Sequence, residues 1–297
     1  MIETAGARLR SGNTLGIAAM LAAMAAFVAN DTCVKLIGDT LPLGELIALR
    51  NTAATLLILA YAAIVGGLTL PVTPQKRLLG WRMVAEFLST LFFLSGLIAL
   101  PIAEATAIGQ FTPLAITAAA AIFLNERIGW RRWLASLFGL AGVLLVIKPG
   151  TAAFLPAALL ILAAVAFIVV RDLTTRAIST EVPTLTLTAM SASVSILAGV
   201  VLWPFETWIM PTATQAGLLM IAAICLTVAY ALMVIAMRNG EVAIVSPFRY
   251  AVIVFAILSG WIFWQQIPDA VQFAGIAVLT VSGLYTLHRE RLKSAMR

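Results

Sequence analysis

The chain has 297 residues, of which 62% are hydrophobic and only 11% charged, and its mean hydropathy is +1.04. Globular chains carry about a quarter charged residues, so an ordinary soluble domain is excluded. A formal charge of +6 would suit a nucleic-acid partner, but most of the basic residues lie in short turns between apolar runs, the footprint of membrane topology.

The first segment, 1–13, carries Glu3, Arg8 and Arg10 ahead of an apolar run from Thr14 to Ile37. That run is too long for a signal-peptide core and reads as a retained span. A helix needs about 20 apolar residues to cross the hydrocarbon, and ten runs qualify. They cover 14–37, 41–65, 81–100, 104–124, 130–147, 152–175, 184–203, 216–237, 242–264 and 270–287. Breakers separate them: Gly38, Gly66-Gly67, Pro71, Pro101, Gly129, Pro149-Gly150, Pro183, Pro204, Gly240 and Pro268. The fold class that follows is an all-α polytopic membrane protein of ten transmembrane helices.

The grammar of one region returns in another. Ala103 to Val146 reads as a span containing Pro113, a basic turn Asn125-Glu126-Arg127, and a Gly-rich span; Glu241, Pro247 and Gly275 repeat the order near the C-terminus. Asp31 and Lys35 at the end of the first span likewise match Asp172 and Arg176. The chain therefore reads as two five-helix repeats, 14–147 and 152–288. Five is odd, so the second copy enters the membrane inverted, an architecture that places a substrate site between the halves around a central cavity.

With the N-terminus inside, every Lys and Arg except Lys35, Arg50, Lys148, Arg171 and Arg249 falls on the cytoplasmic side. The positive-inside rule thus places both termini in the cytoplasm. The expected location is the inner membrane of a bacterium.

Charges within hydrocarbon face a cavity, a partner or the interface. Asp31 with Lys35 and Asp172 with Arg176 each stand four residues apart on a helix face. They read either as local ion pairs at helix ends or as an outer and an inner gate. Arg50 lies about ten residues into its span, near mid-membrane. It calls for Asp31 as a counter-charge or for a substrate carboxylate. Arg249 and Glu86 form a second set in the inner part, read as a structural pair or as substrate-binding groups. Asn30, Asn51, Gln110, Tyr230 and Tyr250 are further polar groups able to bind a substrate, and Pro113 and Pro247 free backbone carbonyls beside them. Cys33 and Cys225 read as inert core thiols, and the single histidine, His288, lies in the tail. No metal, cofactor or catalytic role is expected, and the absence of a phosphate-binding loop leaves ATP hydrolysis unsupported.

Taken together, the two halves, the Pro113…Asn125-Glu126-Arg127 helix end, the Asp31…Lys35 pair, Arg50-Asn51 and Ser246-Pro247-Phe248-Arg249-Tyr250 resemble the drug/metabolite transporter superfamily, EamA branch. Within it the chain is most similar to the YddG-type amino acid exporters. The second copy departs from the pattern, with Gln265-Gln266 where the first has Glu126. The resemblance implies a monomeric secondary transporter exporting small metabolites, amino acids first, by alternating access. Its partners are a small-molecule substrate and the lipid bilayer. Uptake or exchange of a nucleoside-like or vitamin-like metabolite is the alternative, and a channel the remoter one.

Overall fold

In the computed structural model, residues 2–65, 75–123, 129–178, 184–239 and 241–295 are described. Among them there are helices and turns and no strand. Ten helices are long and apolar enough to span a bilayer: α1 Asn13–Gly38, α2 Leu43–Ile64, α3 Lys76–Ala99, α4 Ile102–Phe123, α5 Trp130–Ile147, α6 Ala157–Thr175, α7 Thr186–Phe205, α8 Ala213–Asn239, α9 Ser246–Trp264 and α10 Ala270–Arg289. Helix is what the solvent dictates, because hydrocarbon offers backbone groups no partner outside the segment itself. α1 runs on as helix back to Ile2, beyond its apolar run. The turn Asn125-Glu126-Arg127 lies outside the described residues.

The turns follow local chemistry. Lys148 ends α5 in the left-handed region at φ 53°, and Gly150 follows at φ 79°, which brings the chain round ahead of α6. α4 is broken at Gln110–Phe111, because Pro113 has no N–H to give the Gly109 carbonyl. The Thr112 hydroxyl takes that carbonyl instead, at 2.7 Å. α9 opens with a tight turn, Ser246–Tyr250, that contains Pro247, before regular helix from Ala251. The two halves thus carry their irregular backbone in corresponding helices.

Packing obeys the same two-fold correspondence. α1 packs on α8 as α6 packs on α3, while α2 with α7 and α5 with α10 are pairs that map onto themselves. α3 with α7 is answered by α8 with α2, and α1 with α9 by α6 with α4. The core between them holds Met20, Leu46, Ile47, Leu97, Ile108, Leu114 and Leu279, all buried.

One end of each self-paired crossing is closed by glycine. A β-carbon on Gly142 would stand 2.7 Å from the Gly275 carbonyl oxygen, and one on Gly275 would stand 2.6 Å from that of Gly142. A β-carbon on Gly44 would likewise meet the Gly199 carbonyl at 2.6 Å. These crossings lie toward the face opposite the termini. Polar ties hold the same face. Glu206 accepts from the Gly44 amide at 2.8 Å, Glu45 accepts from the Ile209 amide at 2.9 Å, and the Gln215 amide donates to Thr40 at 3.1 Å.

Asp269 starts α10 with a capping box. Its carboxylate accepts from the amides of Val271 and Gln272 at 3.0 Å each, and Gln272 Oε1 accepts from the Asp269 amide at 3.0 Å. The same carboxylate forms an ion pair with Lys148.

Two measurements check this closed face. Gly142→Val should overpack the α5–α10 crossing by about 1–3 kcal/mol and lower Tm by several degrees, whereas Gly217→Ala, which meets nothing, should leave it unchanged. The Lys148 hydrogen bond holds the Asp269 carboxyl below its ordinary 3.8. A depressed carboxyl contributes stability above the unfolded value and loses it as pH falls through the folded one. Asp269→Asn should therefore lower Tm at pH 7, and the difference from the native protein should shrink progressively as pH falls below 3.8.

Candidate functional site

Between the halves a continuous line of polar side chains crosses five helices. It starts on α1, where the Asn30 amide donates to Asp31 Oδ1 at 2.8 Å. From α2, Arg50 Nη1 donates to Asn30 Oδ1 at 3.4 Å and Nη2 to Asn51 Oδ1 at 2.9 Å. Asn51 in turn donates to the Ser195 carbonyl of α7 at 3.1 Å. The Ser195 hydroxyl shares a hydrogen bond with Thr90 of α3 at 3.1 Å and donates to the Ser191 carbonyl at 2.9 Å. Arg82 of α3 closes the line, donating through Nη1 to the Ser191 hydroxyl at 2.8 Å and through Nε to Thr175 of α6 at 2.9 Å.

A second group stands beside Arg82. Arg171 of α6 reaches Glu86 at 3.6 Å and donates from Nε to Asp172 at 2.9 Å. Arg249 of α9 lies within electrostatic range of Asp172 and Arg171, and its guanidinium makes no hydrogen bond or ion pair among the described residues. The Tyr230 hydroxyl of α8 lies in the field of both groups, near Glu86, Arg171, Arg50 and Asp31. Tyr230 is 43% exposed, with its ring edge-on to Phe27 at 5.3 Å. Phe92 and Phe167 stack at 5.7 Å on α3 and α6.

The arrangement corrects several expectations. Arg50 forms no direct ion pair with Asp31; Asn30 stands between them and bonds both. Lys35 does not pair with Asp31 either. Its ammonium donates to the carbonyls of Leu97, Ile98 and Leu100 at 3.2, 2.7 and 2.6 Å, and it sits over the Trp264 ring at 5.6 Å. Pro101 ends α3 there and leaves those carbonyls without helical partners, so the ammonium caps the helix with all three of its protons. Asp172 is bonded by its neighbour Arg171, and the Arg176 side chain lies outside the described residues. Glu86 pairs with Arg171 rather than Arg249. The Tyr250 ring points at Gly283 of α10, occupying the space a β-carbon would need, so it packs between helices rather than lining the centre. Gln110 sits half-buried at the α4 break, and its side-chain amide makes no hydrogen bond among the described residues.

Arg82, Thr90, Thr175, Ser191 and Ser195 were not read from sequence as site residues. Arg82 looked like a turn charge because the apolar run starts at Trp81, but α3 begins at Lys76 and buries it. The readable signal was Ser191-Ala-Ser193-Val-Ser195, hydroxyls at every second position inside an apolar span.

Helices, break positions and a central charged seam narrow the chain to a transporter architecture, and comparison with known proteins decides which. The model of the EamA-like transporter family matches residues 14–148 and again 155–287. The chain belongs to the EamA-like transporter family. This EamA-like protein is 25% identical over 282 residues to an S-adenosylmethionine uptake transporter of Rickettsia bellii, across 94% of this chain and 95% of that one. It is 27% identical over 273 residues to the pseudopaline exporter CntI of Pseudomonas aeruginosa, across 89% and 93%. A riboflavin transporter of Rhizobium johnstonii is 27% identical over 221 residues, across 70% and 69%. A solved crystal structure shares the fold at a TM-score of 0.63 and 22% identity, covering 94% of this chain and 97% of the other. These relatives span several cargoes rather than amino acid exporters alone. The EamA-like chain is a multi-pass bacterial membrane protein that acts as a transporter of small molecules.

Removing the Lys35 cap tests its assignment as a helix cap. Lys35→Met should cost about 1–3 kcal/mol by stranding carbonyls in an apolar setting, read as a lower Tm in detergent. Substrate affinity of this EamA-like protein should stay within about two-fold, a change of less than about 0.5 kcal/mol.

Proposed function

We propose that the cargo is a small metabolite carrying an α-amino acid unit, amino acids foremost, and that the physiological direction is export. The observation that carries this reading is Arg249, a guanidinium at membrane depth without a direct partner, beside a carboxylate, Asp172, that one neighbour only partly occupies. A zwitterion suits that pair. Its carboxylate would take the two-pronged Arg249 fork, and its ammonium the remaining lone pairs of Asp172. Tyr230 would offer a hydroxyl to the same end, and Phe27, Phe92 and Phe167 an apolar surface to the side chain. Arg171 and Glu86 would hold Asp172 and balance the local charge.

The Asn30, Asp31, Arg50 and Asn51 network would form the far wall of the cavity, toward the closed face. S-adenosylmethionine, the named cargo of one relative, fits the reading in that its methionine part is an amino acid. Riboflavin, the named cargo of another, has no such part, so a vitamin-like cargo is the competing reading. Both termini would then lie in the cytoplasm, a reading the basic turns support, and a monomer would suffice for this geometry.

The test is uptake and efflux in liposomes of labelled amino acids, S-adenosylmethionine and riboflavin, with and without a pH gradient. The native protein should move at least one amino acid or S-adenosylmethionine. Arg249→Gln should raise its half-saturation about ten-fold or more, the loss of one charge-assisted hydrogen bond. Movement of riboflavin alone, or an Arg249→Gln protein with unchanged half-saturation, would sink the proposal.

A further inference from the structure

We propose that the groove between α5 and α10, on the face that carries the termini, is a binding site for an anionic phospholipid of the adjoining leaflet. The two helices touch backbone to backbone at Gly142 and Gly275 and diverge from there toward that face. The divergence opens a groove of about 590 Å³. Its walls are residues one and two turns apart on each helix, Leu134 and Phe138 on α5 facing Val278 and Val281 on α10.

The shape fits a lipid. From Trp130 to Phe138 the groove runs about 12 Å along α5 at 1.5 Å per residue. That is close to the apolar depth of one leaflet, half of roughly 30 Å. The floor is made of small side chains, Ala135 and Ser282, both buried, so there is room for an acyl chain between the walls. Phe138, Val281 and Leu134 are 59%, 65% and 41% exposed, apolar surface that only hydrocarbon can cover in a bilayer.

The mouth supplies the charge. Arg131 stands there with its guanidinium 5.4 Å from the centre of the Trp130 ring, and Tyr285 faces it from α10. Among the residues that line the groove there is a cation and no carboxylate. Trp and Tyr settle at headgroup level, and a basic pocket between helices at that level attracts an anionic headgroup. Charge therefore favours an anionic lipid over a neutral one. It also disfavours a second copy of this chain, which would bring Arg131 near its own twin across a two-fold interface. The site stands apart from the central seam and uses none of its residues.

Native mass spectrometry of the full chain in detergent, with phosphatidylglycerol or phosphatidylcholine added in equal amounts, tests the proposal. One retained phosphatidylglycerol is expected, favoured about five-fold over phosphatidylcholine, as one arginine at the headgroup warrants. Arg131→Gln should bring that preference to about one. Ala277→Trp, which fills the groove wall from an exposed position, should lower retention of both lipids while the protein keeps its Tm. Equal retention of the two lipids by the native protein would overturn the proposal, as would a preference that survives Arg131→Gln. A dimer that Ala277→Trp splits would overturn it in favour of a copy-to-copy interface.

Discussion

A guanidinium in hydrocarbon must find its hydrogen bonds inside the protein, and in this chain most of them come from neutral groups. Arg50 is held by two asparagines and Arg82 by a serine and a threonine. Neutral partners satisfy the N–H groups, while the counter-charges, Asp31 for Arg50 and Glu86 and Asp172 for Arg82, act from beyond them. The serines of α7 make this possible, since Ser191 and Ser195 lie one turn apart and serve α3 from a single face. Helix positions around the seam follow from that demand, because each donor requires its acceptor's helix at hydrogen-bonding distance.

The inverted copies use one backbone plan with different chemistry. Asp31 and Asp172 occupy corresponding places, and each is bonded by the side chain immediately before it, Asn30 in one copy and Arg171 in the other. The asparagine adds no charge of its own, while the arginine in the other copy takes Glu86 as a further counter-charge. The difference lies in two side chains.

The ten spans were legible because length and hydropathy report directly on the bilayer, and the breaks in α4 and α9 because Pro113 and Pro247 cannot donate. The partner of each charge was not legible. Spacing of four residues suggested Asp31 with Lys35, but Lys35 is drawn across to the carbonyls that Pro101 strands at the end of α3, a neighbour fixed only by the way the helices cross. Arg50 and Asp31 do act on each other, but through Asn30, which bonds each in a different way and which spacing did not reveal. Tyr250 and Arg249 are adjacent in sequence yet face different surroundings, one α10 and the other the centre, and the tight turn through Pro247 sets that divergence.

The crossing at Gly142 and Gly275 lies off the centre of its helix pair, and toward the other end the groove floor is again small, Ala135 and Ser282. The pair is therefore wedge-shaped, with small residues at both ends. A β-carbon at either glycine would hold the two backbones apart, so the width of the groove is set by two hydrogen atoms at its far end.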